Sequence, residues 1–144
     1  MDGYENRIEQ LLEKPCWVVD LLPQRVPASR GAQFSAVEAY YLNRQNGKKL
    51  RKRFTDILLK LNCYYVFLLY RGSHGLATLN PPPEILAKRI MDAQEELLIL
   101  LESEDALILI GRDDTCISFY NPSEPLLTML VQLARAHSLF LWRA

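Results

Sequence analysis

Hydrophobic positions recur along this chain at two spacings, one typical of helices and one typical of strands. Apolar residues three and four positions apart predict a short helix over 4–13, a helix from about residue 36 and another over 48–61. Runs rich in β-branched and aromatic residues predict strands at 16–22 and 63–70. The second of these strands is apolar on both faces, so we expect it near the centre of a sheet.

The second half of the chain continues this mixture of helices and strands. Three prolines at 81–83 favour the first turn of a helix whose apolar spacing continues to about residue 102. Its last residues, 97–101, fit a strand equally well, because periodicity alone does not separate short apolar runs. The pattern then predicts a β-hairpin formed by residues 106–111 and 115–121. A buried helix over 124–136 and a last strand over 138–142 follow it.

The order of these elements predicts the fold class. After residue 62 the order is β-α-β-β-α-β, which is the ferredoxin-like order. Together with an N-terminal helix, a strand and a helical hairpin, it predicts one α+β domain over residues 1–144, a usual length for a single domain. We expect a sheet of about five strands, antiparallel or mixed. Many unrelated functions use this order of elements, so the fold does not choose among them.

Composition excludes several classes of protein. Hydrophobic residues make up 49% of the chain and charged residues 24%, values of a globular protein rather than a disordered one. No apolar run reaches the roughly 20 residues of a membrane span. The acidic N-terminus lacks the basic start and apolar middle of a signal peptide. Three widely spaced cysteines, at 16, 63 and 116, predict reduced thiols in a cytoplasmic protein rather than a disulfide framework or zinc ribbon.

The distribution of charge is more informative than its total. The 17 basic residues balance the 17 acidic ones. Yet residues 24–60 hold nine basic side chains against two acidic ones, and residues 84–114 hold nine acidic against three basic. The neutral total therefore conceals a strongly dipolar chain.

The basic residues concentrate in the run KKLRKR at 48–53, which opens a predicted helix. Cations at that end oppose the helix dipole by up to about 1 kcal/mol each at low salt, so the cluster favours a compensating anion. The candidate partner-binding residues are Lys48, Lys49, Arg51, Lys52 and Arg53. The anion could be the acidic stretch at 92–105, a second copy of the chain, a partner protein or nucleic-acid phosphate. A solubilising helix face is the remaining interpretation.

These charges make a non-enzymatic protein-interaction or regulatory module the preferred function, with a homodimer as one form of it. Nucleic-acid binding through the same basic residues is the alternative. It is weakened by an isoelectric point of 6.7, by the acidic stretch, and by the absence of basic residues interleaved with aromatic ones. We expect no cofactor and no membrane partner.

A small enzyme is the third hypothesis. Arg71, Ser73 and His74 follow the predicted central strand and form a candidate anion-binding or proton-transfer site. No nucleophile elbow, P-loop or dinucleotide-binding motif accompanies them, so a polar turn explains the loop as well. We therefore assign no catalytic residue.

Four further polar residues have structural explanations that compete with chemistry. His137 follows a helix, where a cation is favourable. Asp20 ends a strand and can pair with Arg25 or cap the next loop. Asp113 and Asp114 favour a hairpin turn, and the spacing of a calcium loop is absent, so no metal ligand is assigned.

Overall fold

The computed structural model describes residues 3–71 and 76–144, and the side chains of Arg71 and Leu76 are outside this description. The described chain is an α+β fold with five α-helices and one antiparallel sheet of seven strands. The helices are α1 (Gly3–Leu11), α2 (Gly31–Leu42), α3 (Arg44–Asn62), α4 (Pro83–Met91) and α5 (Glu124–Ala136). The strands are β1 (Cys16–Asp20), β2 (Leu68–Arg71), β3 (Leu76–Leu79), β4 (Leu97–Leu101), β5 (Ala106–Ile110), β6 (Cys116–Tyr120) and β7 (Phe140–Arg143).

The predicted α+β class is confirmed, but the finer topology differs from the prediction. The sheet has seven strands instead of about five, in the spatial order β3-β2-β4-β5-β6-β1-β7. After residue 62 the chain runs β-β-α-β-β-β-α-β, which is not the ferredoxin-like order. β1 lies between β6 and β7, with Val19 opposite both Ile117 and Leu141.

Two segments account for the changed topology. Residues 76–79, for which the sequence pattern predicts no strand, form β3 and pair with β2. Residues 97–101 form β4 rather than the end of a long helix, because α4 ends at Met91 and the chain turns before the apolar run begins. Strand β2 is shorter than predicted and begins at Leu68, after a turn that follows α3.

The helix starts are confirmed in part. Ser123 accepts a hydrogen bond from the Leu126 amide at 3.3 Å and caps α5, as its position between Pro122 and Pro125 predicts. Pro83 occupies the first turn of α4. The predicted start of α2 at about residue 36 is wrong. That helix begins at Gly31, directly after a 3-10 turn, and no side chain caps it.

The larger core lies between one face of the sheet and helices α3, α4 and α5. Its centre consists of fully buried side chains that the period of α3 and the alternation of the strands bring together. They include Phe54, Ile57, Leu58 and Leu61 from α3, Leu86 and Ile90 from α4, Leu126 and Leu130 from α5, and Ile99, Ile108, Ile117 and Phe119 from the sheet. This packing fixes α3 as the central helix of the molecule.

The other face of the sheet carries a smaller core, which helix α1 covers. Ile8 and Leu11 pack on Leu68, Leu100 and Leu107, which alternation directs to this face. A polar contact fixes the helix beside the β4–β5 turn. There Arg7 forms an ion pair with Asp105 at 3.0 Å and donates to the Glu102 carbonyl at 2.7 Å.

Among residues 3–71 and 76–144, no helix combines the length and the apolar character that crossing a bilayer requires.

Two neighbouring leucines test whether α1 is an integral part of the fold. Leu11 is 2% exposed in the smaller core, whereas Leu12 is 39% exposed. We expect Leu11→Ala to lower the free energy of unfolding by about 2–4 kcal/mol, because it leaves a cavity under α1. Leu12→Ala, the matched control, should change it by less than about 1 kcal/mol. Urea denaturation measures both, and equal effects would show that α1 does not pack as described.

Candidate functional site

The basic run begins one turn inside α3, because the helix starts earlier than its sequence suggests. The sequence pattern predicts a helix over 48–61, whereas α3 already includes Asn46 and Gly47. Asn43 is the N-cap, and its side-chain oxygen accepts from the Asn46 amide at 2.8 Å. The Asn46 side chain in turn donates to the Tyr40 carbonyl at 3.1 Å, which fixes the end of α2 against the start of α3.

Glycine at position 47 permits this close approach of the two helices. A Cβ atom there would lie 3.3 Å from the carbonyl oxygen of Leu42, at the end of α2. The helical geometry itself needs no glycine here, so the short distance explains the residue. The sharp junction sets the direction in which the following basic residues point.

The five candidate partner-binding residues are distributed around α3 instead of sharing one face. Lys48, Lys49 and Lys52 are exposed, Arg53 is half-buried, and Arg51 is 8% exposed. The cause is the helical period, because Arg51 precedes Phe54 and Leu58 by three and seven positions and therefore lies on the apolar stripe. We call the three exposed lysines the basic surface.

Arg51 is a buried cation that connects three segments of the chain. Its Nε donates to the carbonyl of Ile90 in α4 at 2.6 Å, and its Nη1 donates to the carbonyl of Gly111 at 2.7 Å. Nη2 is also buried and has no hydrogen-bond partner. Burial lowers the pKa of Arg51 from its ordinary value, and the nearby carboxylates of Asp114 and Asp113 act in the opposite direction. The residue stays charged because arginine titrates far above neutral pH.

The other cations of α3 are partly engaged within the fold. Lys52 forms an ion pair with Asp56 at 2.6 Å, one helical turn away. Arg53 donates to the carbonyl of His137 at 3.3 Å. Lys60 approaches Nε2 of His137 at 3.0 Å. Among the described residues, Lys48 and Lys49 make neither an ion pair nor a side-chain hydrogen bond.

A cavity of about 190 Å³ lies beside Arg51, between the first half of α3, the end of α4 and the β5–β6 turn. Its charged lining residues come from α3 and from the turn: Arg44, Lys48, Arg51, Arg112, Asp113 and Asp114. Asp114 is held in place, since its Oδ2 accepts from the Gly111 amide at 2.8 Å. That contact supports the interpretation of this acid as a turn residue.

The acidic side chains of the stretch 92–105 are mostly exposed, and among the described residues none of them pairs with the basic surface. Ion pairs among the described residues join Arg7 to Asp105 and Lys52 to Asp56, and neither links the two regions. Asp92, Glu96 and Glu102 are exposed. The carboxylates of Asp92, Glu96 and Glu102 and the ammonium groups of Lys48 and Lys49 therefore make no ion pair within the described part of the chain.

The second predicted site comprises Arg71, Ser73 and His74. Ser73 and His74 lie outside the described residues, and the side chain of Arg71 does too. Their assignment as an anion-binding or proton-transfer site stays a prediction. No cluster of three or more potential metal-ligating side chains is found in the described part of the chain.

Asp20 caps the loop after β1. Its Oδ1 accepts from the Leu22 amide at 3.4 Å, and burial raises its pKa from the ordinary value, with a smaller contribution from Glu38. Arg25 does not pair with it but lies 5.9 Å from the centre of the Trp142 ring. The structure thus favours the capping role over catalysis.

In the comparisons with known proteins, no protein family, no curated protein and no solved structure matches this chain.

His137 is surrounded by cations, contrary to the expectation that it acts as a favourable charged cap. Burial lowers its pKa, as do Lys60, Arg53 and Lys52, and Asp56 opposes them. The folded protein therefore binds fewer protons than the unfolded chain just below pH about 6.5, the ordinary histidine value. Stability should fall as the pH decreases through that value toward the lowered pKa.

The variant His137→Gln tests this assignment, because its side chain accepts from Lys60 without titrating. We expect the stability of the native protein relative to the variant to decline as the pH is lowered from about 7.5 to about 5. Urea denaturation at a series of pH values measures this difference. The titration of His74 contributes equally to both proteins and therefore cancels in the difference. A constant difference, or one that grows at acid pH, would contradict the assignment.

Two cysteines should differ sharply in their reaction with a thiol reagent. Cys63 is exposed, whereas burial, with smaller contributions from Asp20 and Asp114, raises the pKa of Cys116 to about 12. Because the thiolate is the nucleophile, Cys63 should react quickly at pH about 8 and Cys116 only on unfolding. We expect Cys63→Ser to abolish the fast phase of a disulfide-exchange assay and Cys116→Ser to preserve it. A fast phase that persists in Cys63→Ser would refute the prediction.

Proposed function

We propose that this protein is a non-enzymatic interaction module whose basic surface, Lys48, Lys49 and Lys52, docks on an acidic protein surface. The observation that carries the proposal is the charge separation within one subunit. Among the described residues, no ion pair connects the basic surface to the acidic stretch 92–105. Lys48 and Lys52 lie four positions apart on α3, where like charges repel each other, and an acidic partner relieves the repulsion.

The sequence itself offers one complementary partner, a second copy of the chain. The exposed carboxylates of Asp92, Glu96 and Glu102 lie on the α4–β4 connection and the β4–β5 turn. A symmetric dimer uses each contact twice, so that the basic surface of each subunit faces the acidic stretch of the other. An unlike protein with an acidic surface fits the same cations. Free, widely spaced cysteines support a cytoplasmic setting for either form.

Nucleic acid is the second candidate, and Tyr40 supports it. This tyrosine is 61% exposed in the last turns of α2 and its carbonyl is bonded to Asn46 of α3, so an aromatic ring lies near the basic helix. Stacking on such a ring combined with lysine–phosphate contacts is typical of single-strand binding. The acidic stretch on the same molecule weighs against it, because carboxylates repel phosphate.

Charge reversal separates docking by the basic surface from general electrostatic effects. We expect the native protein to self-associate at low salt and to dissociate at high salt, because surface ion pairs are screened. The double variant Lys48→Glu/Lys49→Glu should stay monomeric at low salt. The matched control Lys14→Glu/Arg143→Glu changes the net charge equally at exposed positions away from α3 and should still associate. Light scattering measures the molecular mass in each case.

Two results would change this picture. A native protein that is monomeric at every salt concentration removes the homodimer and leaves an unlike acidic protein as partner. Titration with a labelled single-stranded oligonucleotide at low salt then tests the second candidate. Binding that Tyr40→Ala and Lys48→Glu/Lys49→Glu both weaken would replace the protein-docking proposal with nucleic-acid binding.

A further inference from the structure

The buried guanidinium of Arg51 is incompletely hydrogen-bonded. Nε and Nη1 bond to backbone carbonyls, whereas Nη2 is buried and has no partner among the described residues. A buried charged donor without a partner is costly, and such groups are usually completed by a bound water or ion. The structure therefore contains an unused donor at a defined position beneath the protein surface.

The cavity beside this donor carries an excess of positive charge. Arg44, Lys48 and Arg112 line it together with Arg51, and they oppose the carboxylates of Asp113 and Asp114. The three outer cations are exposed and make no side-chain ion pair within the described part of the chain. One of the two carboxylates, that of Asp114, is already engaged with the Gly111 amide. The cavity is thus lined both by exposed cationic donors and by the buried guanidinium of Arg51.

We propose that this cavity binds a small oxyanion, the phosphate group of a metabolite or free phosphate, with Arg51 at its base and Lys48 and Arg112 at its rim. Arginine and lysine donors together are the usual partners of such a group. Its volume of about 190 Å³ is below that of pockets for drug-sized ligands, so the cavity holds one anionic group rather than a whole nucleotide.

Access to the buried donor requires movement of the rim. Nη2 is covered, so the anion reaches it only when neighbouring side chains move, and Lys48 and Arg112 are long exposed side chains of the cavity lining that can turn toward the anion. Either side chain can then donate to the same anion. The site goes beyond the protein-docking function, because its ligand is small and because Lys49, which is part of the basic surface, does not line the cavity.

Titration with inorganic phosphate, at ionic strength held constant with sodium chloride, tests the site. We expect saturable binding by isothermal calorimetry and a rise in melting temperature. Lys48→Gln and Arg112→Gln should each weaken binding by about two- to fivefold. Asp113→Asn should strengthen it by a similar factor, because it removes an exposed negative charge beside the anion. Lys49→Gln is the matched control and should bind as the native protein does.

The buried residue is tested by a conservative change. Arg51→Lys keeps the charge but loses the fork geometry, so we expect about tenfold weaker phosphate binding or more. Because this variant also loses backbone hydrogen bonds, its folding is checked by circular dichroism. The rim variants and Asp113→Asn keep the proposal testable if it does not fold. Glycerol phosphate separates the two sources of ligand, since tighter binding than inorganic phosphate identifies a metabolite and equal binding identifies free phosphate.

Three results would overturn the proposal. The first is the absence of saturable phosphate binding beyond the effect of chloride at equal ionic strength. The second is an equal loss of affinity in Lys49→Gln and Lys48→Gln, which would indicate nonspecific attraction to the helix. The third is weaker binding by Asp113→Asn. None of them depends on whether the protein self-associates.

Discussion

The guanidinium of Arg51 is the polar contact on which the arrangement around α3 depends. This side chain extends from α3, the central helix of the larger core, and donates hydrogen bonds to the carbonyls of Ile90 and Gly111. It therefore connects α3 to the end of α4 and to the β5–β6 turn. No apolar residue could satisfy these two carbonyls. A buried charge is tolerated here because it is hydrogen-bonded and because Asp113 and Asp114 lie close enough to oppose its desolvation.

Strong local patterns were sufficient to predict much of the fold from the sequence. The stripe on α3, the β5–β6 hairpin and the Ser123 cap of α5 follow from periodicity and turn chemistry within a few residues. β3 was missed because a four-residue strand beside two glycines has too few residues to show alternation. β4 was ambiguous because five consecutive apolar residues are compatible with a buried helix or a buried strand. The missed β3 and the inclusion of residues 97–101 in the preceding helix led directly to the wrong topology.

The sequence predicted which segment carries the candidate site, but not how its side chains are arranged in space. The clustering of cations at 48–53 is evident in the sequence, whereas their separation into exposed lysines and a buried arginine depends on helix phase. The burial of Arg51 could have been predicted from the sequence, because this residue lies three positions before Phe54 and therefore on the apolar stripe of the predicted helix. The contribution of Arg112 was not available, because it meets Arg51 only through the packing of the β5–β6 turn against α3, and Arg44 was missed because the predicted helix began at residue 48.

The position of β1 constrains the order in which the molecule can fold. Residues 16–20 pair with residues 116–120 on one side and with residues 140–143 on the other. Both pairings close loops of about a hundred residues or more, which carry a large entropic penalty and slow the approach to the native state. During synthesis β1 leaves the ribosome long before either neighbouring strand exists. Completion of the sheet is therefore a late event, and until then this apolar segment depends on chaperones or transient contacts for protection.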